Sequence, residues 1–414
     1  MAAPDTINKR KTMARPNVKI RFANGALGSV AASADGVAGI ITTGVAVEGS
    51  LVLNKAYVLY SPDNLASLGI TSEADDPNAS IYKIVRQFYA ESGNGAELWL
   101  MVVAAATTAA EMLDTANNAA KKLVRASGGR IRTLAVIDGA VAGTTDHGLD
   151  ASVWPALSKA QAFGEWCADT LYAPVIVILE GKGYSDADAV ELKDLGEMAC
   201  NRVAIVLGQP MEEGAPCGSM AALVLGRVAK NPVQRHIGRV RDGALQADGM
   251  TIDGTVEVSD ADLDTPNSKG YIVPTTYVGR SGYFVCDDHL ATAVSDDYHS
   301  LARRRVIDKA YRIAYDTLLD HLKEEVACTD EGTMVAAVAK AWEGDVVSAI
   351  AGQMTSNGEL GADPDDPKDK GVKCEVDKNQ NVVSTGKVKV AIAVKPYGYA
   401  KYIEATLGFT AIKS

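Results

Sequence analysis

Ile81-Tyr82-Lys83-Ile84-Val85-Arg86-Gln87-Phe88-Tyr89-Ala90, followed by Gly93-Asn94-Gly95 and then Glu97-Leu98-Trp99-Leu100-Met101-Val102-Val103, decides the fold class. Ile81, Ile84, Val85 and Phe88 recur at helical spacing and make one apolar stripe. Asp76-Pro77 upstream reads as the helix start, with Asp76 as N-cap and Pro77 in the first turn. Gly93 and Gly95 stop the helix. The run Glu97–Val103 is apolar nearly throughout, as a strand covered on both faces must be.

The same alternation extends in both directions. Gly36–Thr43 and Ala56–Tyr60 read as strands before it. After it come helix Thr108–Ala126, stopped by Gly128-Gly129, strand Ile131–Ile137, helix Val153–Leu171 and strand Pro174–Glu180. Helix Asp186–Ala199 capped by Ser185, strand Arg202–Leu207 and helix Ser219–Ala229 complete the series. This predicts an α/β unit over 36–245, a mainly parallel sheet covered by helices.

Beyond it the pattern is mixed α+β. Over 246–295, Met250–Ile252 and Thr255–Val258 flank Asp253-Gly254, a type I′ hairpin signal, and Tyr271–Val278 with Tyr283–Asp287 form a second hairpin. Over 296–394, one helix is expected from Asp296 to Val326, a second from Glu331 to Met354, and strands at Val372–Val376 and Gly386–Val394. Gly361–Lys373 is an acidic loop between them. The ends read as arms: 1–35 carries a lone strand Val18-Lys19-Ile20-Arg21-Phe22, and 395–414 carries strand Lys401–Phe409. Neither has a hairpin partner beside it in sequence.

Composition narrows function. The chain has 414 residues, 47% apolar and 22% charged, which is ordinary globular usage. Net charge is −11, which argues against a general nucleic-acid partner. Residues 1–22 hold six Lys and Arg against Asp5 alone, so they carry +5 and the remainder −16. No apolar run approaches the ~18 residues of a membrane span, and the N-terminus has no apolar leader core. The chain is therefore expected to be made and kept in a cytoplasm, or to leave by lysis. The six cysteines are scattered without a C-x-x-C pair, as buried free thiols are.

Catalytic patterns fail one after another. Gly93-Asn94-Gly95 lacks the third glycine of a dinucleotide loop and lies after a helix and before a strand, the reverse order. There is no Walker lysine loop and no G-x-S-x-G elbow. Asp287-Asp288-His289 reads as hydrogen-bonded turn residues leading into a helix, with a metal or acid/base pair as the alternative. Asp363, Asp365, Asp366 and Asp369 lack the register of a calcium loop. No cofactor, metal or catalytic residue is expected.

What stands out is Arg303-Arg304-Arg305 near the head of a helix whose core stripe is Ile307, Ala310, Tyr311, Ala314, Leu318 and Leu322. Consecutive helical positions turn about 100° each, so three arginines sweep about 200° and at least one must face inward or toward a partner. This arginine helix resembles the one in the C-terminal region of contractile tail sheath proteins of bacteriophages, R-type tailocins and related injection systems. Colinear segments extend the resemblance: Gly36–Thr43 with Leu53–Ile70, the stretch Ile81–Trp99, Gly358-Glu359-Leu360-Gly361, Thr385–Pro396 and Tyr402-Ile403-Glu404-Ala405. The family's Phe-Glu-Pro-Asn after the arginine helix is replaced here by Leu319–Val326, marking a divergent member.

The resemblance implies a structural subunit, not an enzyme, that polymerises as stacked, hexameric rings around an inner tube and shortens to drive it through an envelope. Its partners would be itself, the tube protein, and baseplate and tail terminator proteins, with neither nucleic acid nor membrane insertion. The particle would assemble in a bacterial cytoplasm and be released by lysis. Strand addition between subunits is expected from Val18, Lys19, Ile20, Arg21 and Phe22 at one end, and from Tyr402, Ile403, Ala405, Leu407 and Phe409 at the other. A basic helix face of Arg303, Arg304, Arg305, Lys309 and Arg312 is expected to meet the tube. The competing readings are a Rossmann-like enzyme built on the α/β half and another self-assembling virion or surface-layer protein.

Overall fold

The computed structural model describes residues 34–409, apart from 74, 117, 118 and 140. The expected arm strand Val18–Phe22 lies outside the described residues. The N-terminal half is built on a six-stranded sheet of β1 (Ala38–Gly44), β2 (Ala56–Leu59), β3 (Leu98–Ala104), β4 (Thr133–Ile137), β5 (Ile176–Glu180) and β6 (Val203–Val206). Their order is β2-β3-β1-β4-β5-β6, parallel throughout except for β2, which runs antiparallel to β3.

Burial on both faces explains the apolar strands. Ile40 and Ile41 are both fully buried, yet alternation sends them to opposite sides of β1. Ile40 joins a core with Phe88 of α1 (Ala79–Ser92), and Ile41 joins one with Leu123 and Phe163. That second face is covered by α2 (Ala109–Leu113), α3 (Ala119–Ala126) and α4 (Val153–Leu171). On the first face α5 (Met220–Lys230) packs directly on α1, close enough that a Cβ at Gly226 would stand 2.5 Å from the Phe88 carbonyl oxygen.

The second half adds β7 (Gln209–Glu212) paired with β8 (Gly249–Thr251), and the short hairpin β9 (Pro274–Thr275) with β10 (Phe284–Val285). Helices α6 (Leu301–Asp320) and α7 (Ala336–Gln353) follow, with a terminal hairpin of β11 (Val372–Val376) and β12 (Val390–Val394). Val306, Ile313, Val346, Ile350 and Cys374 make the core that joins them.

Several sequence expectations are corrected, each because side chains capture the backbone. The helix expected over Asp186–Ala199 is two 3-10 turns, Asp186–Glu191 and Leu195–Glu197, and a short strand. Lys269 Nζ donates to the carbonyls of Val190 and Leu192, both at 2.6 Å, and holds the chain extended between the turns. Asp76 does not cap α1; its carboxylate accepts from the amides of Thr71 and Asn78 in the preceding turn. Thr108 does cap, in a reciprocal box with Glu111, but α2 stops at Leu113. Asp253-Gly254 is not a type I′ turn: only Gly254 has positive φ, and the Asp253 carboxylate accepts the amides of Thr255 and Val256 instead. The helix expected from Asp296 begins at Leu301, because Asp296 turns back to the Tyr298 amide and Asn201.

Candidate functional site

Helix α6 is launched by two caps. Ser300 Oγ accepts the Arg303 amide, while Asp288 takes the Leu301 amide on its carbonyl and the Ala302 amide on Oδ2 at 3.0 Å. These fix the rotation of the helix, and with it the five basic side chains expected to form an outward face.

The structure turns most of them inward. Arg304 donates through Nε and Nη2 to Asp308 Oδ1, one turn on, at 3.1 and 2.7 Å, and lies over the Tyr298 ring. Asp308 also receives Arg202 Nη1 from the sheet domain at 3.1 Å, so one buried carboxylate serves two guanidinium groups. Arg305, 4% exposed, donates to the carbonyls of Asn231 and Pro232. Burial lowers its pKa to about 10, so it stays cationic at neutral pH. Lys309 bridges Asp35 at 2.6 Å and Glu359 at 2.7 Å, and Arg312 reaches Asp35 at 2.7 Å. Burial alone would raise the Asp35 carboxyl, but the two cations hold it below its ordinary value. Glu359 is shifted the other way, since burial outweighs Lys309 there.

The outward basic face is thus corrected: Arg304, Arg305, Lys309 and Arg312 are internal, because isolated buried carboxylates and carbonyls need those donors more than the surface does. Arg303, partly buried like Lys309 and Arg312, alone of the five makes no side-chain hydrogen bond or ion pair among the described residues, and its Nε is buried without a partner. The missed residues were the acceptors Asp35 and Glu359, and Arg202 beside Asp308. Asp308 was visible as the i+4 partner of Arg304; the others lie far away in sequence.

The C-terminal arm departs from expectation differently. Lys401–Phe409 pairs as a strand with nothing among the described residues. Tyr402, Ile403, Leu407 and Phe409 are 88%, 83%, 99% and 111% exposed, so the arm carries its apolar side chains bare. Ala405 is exposed with them.

Two polar clusters bear on the enzyme alternative. At the carboxyl ends of β4, β5 and β6 a cavity of about 240 Å³ is lined by Asp138, Glu180, Lys182 and Tyr184. Lys182 pairs with Asp138 at 2.7 Å, and burial pushes the Glu180 carboxyl up to about 7 despite a hydrogen bond from Ser219. Elsewhere His236, Asp287 and Asp288 meet, the one group of three metal-ligating side chains among the described residues. Lys401 Nζ stands beside it, 2.6 Å from Asp287 Oδ1.

Against known proteins, the model of DUF2586, N-terminal domain, matches residues 15–289, and that of DUF2586, C-terminal domain, matches residues 297–413. The chain belongs to the DUF2586 family. No curated protein matches it significantly. Among solved structures, this DUF2586 chain is similar to the helical sheath of the anti-feeding prophage in its contracted state, at 17% identity and a TM-score of 0.63 over 96% of this chain and 99% of the other. It is similar to the sheath of an extracellular contractile injection system, PVC, in its contracted state, at 14% identity and TM-score 0.58 over 97% and 98%. It is also similar to the sheath tail protein of Desulfitobacterium hafniense, at 12% identity and TM-score 0.52 over 87% and 93%. The DUF2586 protein therefore has the fold of contractile sheath proteins, as the arginine helix and its colinear segments implied. No described helix is long and apolar enough to cross a membrane.

Proposed function

We propose that this protein is the structural subunit of a contractile sheath, which polymerises in stacked rings around an inner tube and shortens to drive that tube through an envelope. The observation that carries this reading is the end-to-end likeness to contracted sheath subunits: 96% of this chain against 99% of the anti-feeding prophage sheath leaves no large domain unaccounted for on either side.

The C-terminal arm supports it. Ile403, Ala405, Leu407 and Phe409 alternate with Tyr402, Glu404, Thr406 and Gly408, the period-2 pattern of a strand without a sheet. Within the described residues β11 and β12 pair only with each other, so each keeps an open edge where a neighbour's arm can add main-chain hydrogen bonds. Val18–Phe22 would act likewise at the other end. In such a lattice the arms keep subunits connected while their bodies reorient.

The inner tube and the baseplate are the partners of this reading, hexameric rings its symmetry, and catalysis plays no part in it. The charges of Arg304, Arg305, Lys309 and Arg312 are consumed inside the subunit, so of the five basic residues only Arg303 is offered to the tube. The particle is assembled in a bacterial cytoplasm and freed by lysis. Negative-stain electron microscopy of the purified chain, alone and with its tube protein, tests the reading: hollow striated cylinders support it, and uniform small particles under both conditions overturn it.

A further inference from the structure

The group His236, Asp287 and Asp288 has the residue types of a metal site, but its hydrogen bonding excludes one at His236 Nε2. The Gly238 amide donates to His236 Nδ1 at 3.0 Å, which leaves the ring proton on Nε2, facing Asp287 Oδ1 at 3.0 Å and Asp288 Oδ1 at 3.1 Å. A ring that accepts at Nδ1 carries its proton on Nε2. A metal-bound histidine shows the opposite arrangement, with the far nitrogen donating and the near one bare.

The cluster is built for a different cation. Lys401 Nζ lies 2.6 Å from Asp287 Oδ1 and 3.9 Å from Asp288 Oδ1. Asp288 is fully buried, and its Oδ1 makes no aligned hydrogen bond, so an acceptor looks into the pocket unspent. Tyr399 closes the other side: its ring packs edge-on against His236 at 5.5 Å, and its hydroxyl donates to the Gln234 carbonyl at 2.6 Å. Tyr399 is the last partly buried residue; residues 400–409 are all exposed, and of these Lys401 turns its side chain, 28% exposed, back into the cluster.

We infer that His236, Asp287 and Asp288 form a primary-ammonium pocket that takes Lys401, and that this pocket fixes the root of the C-terminal arm so that the arm moves freely only from Tyr402 onward. Asp288 makes the pocket mechanically continuous with α6, because its other oxygen caps that helix at Ala302. A pull on the arm is therefore delivered to the helix N-terminus rather than lost in slack chain. The pocket is a property of the single chain; only its use as a pivot in a lattice rests on the sheath reading.

Proteolysis of the full-length chain tests it. The I403D/L407D background is used so that no lattice shields the site. Trypsin must extract the Lys401 side chain to cut after it, and cleavage tracks the population of the open form when closing is fast. Asp287→Asn removes one charge-assisted partner and is expected to speed that cut about tenfold. Cleavage after Lys387 and Lys389 should be unchanged. Should Asp287→Asn fold poorly, Lys401→Met is read instead with chymotrypsin, which cuts after Tyr402; release of the root is expected to accelerate that cut. Rates equal to the parent in both experiments would overturn the clamp. Calorimetric titration with Zn²⁺ is the remaining arm: no binding is expected, and one-to-one binding that exposes Lys401 to trypsin would replace the ammonium pocket with a metal site.

Discussion

Arg312 Nη2 donates to Asp35 Oδ1 at 2.7 Å, joining residues 277 positions apart. Asp35 is among the first described residues and the last of the segment read as the N-terminal arm, so the contact ties the end of that segment to α6. Lys309 reaches the same carboxylate at 2.6 Å, and all three side chains are under 20% exposed. Breaking a buried pair strands the remaining charge, which costs about 3–5 kcal/mol when burial is complete. Asp35→Ala is expected to cost somewhat less, about 2–4 kcal/mol, since Lys309 retains Glu359. Guanidinium denaturation followed by far-UV dichroism checks this; a change below about 1 kcal/mol would mean the pair is ornamental.

The arginines of α6 differ sharply in what they tolerate. Arg305→Glu would place a carboxylate against the Asn231 and Pro232 carbonyls, acceptor facing acceptor in a buried site, and is expected to abolish soluble folded protein. Arg303→Glu breaks no side-chain hydrogen bond or ion pair among the described residues and is expected to remain folded, with a smaller loss of Tm than reversal of any of the other four. Reversing Arg304 and Arg305 together therefore cannot report on a tube contact, because loss of folding would produce the same result. Co-sedimentation of Arg303→Glu with tube protein isolates the surface effect.

These contrasts also show what the sequence made legible. The parallel sheet was readable because buried strands such as Leu98–Val103 are apolar at every position, and the helix Val153–Leu171 because its pattern meets no competing side chain. Boundaries failed where a distant polar group decides the backbone, as Lys269 does for Val190 and Leu192. The five basic residues were expected to form an outward face, and the structure spends four of them inside the subunit. Helical spacing places Arg304 over Asp308, but nothing local tells that Arg202 approaches the same carboxylate from 106 positions away.

Glu180 makes stability depend on pH. Burial raises its carboxyl from an ordinary value of 4.5 to about 7, against Ser219 and Lys182. Below the ordinary value both folded and unfolded chains hold the proton. Between the two values only the folded chain still holds it, so stability falls as pH rises through this window and stays lower above it. The Tm difference between wild type and Glu180→Gln should therefore grow in favour of the variant from pH 5 to pH 8. A constant difference would show that Glu180 titrates at its ordinary value when folded.

The C-terminal arm separates assembly from folding more cleanly than any buried site. Ile403 and Leu407 are 83% and 99% exposed, so Ile403→Asp with Leu407→Asp removes no packing from the single chain. Surface changes of this kind usually move stability by no more than about 0.5 kcal/mol, and the monomer's Tm should be unaltered. In an added strand these two positions share one face, and a carboxylate at each would have to be desolvated against the neighbour's apolar surface. The double variant is expected to remain a folded, dispersed subunit that forms no cylinders under conditions where the parent polymerises. Glu404→Lys and Thr406→Lys, on the opposite face, should be milder. Cylinders of normal length from the double variant would show that residues 402–409 are dispensable, and strand addition at this end would have to be abandoned.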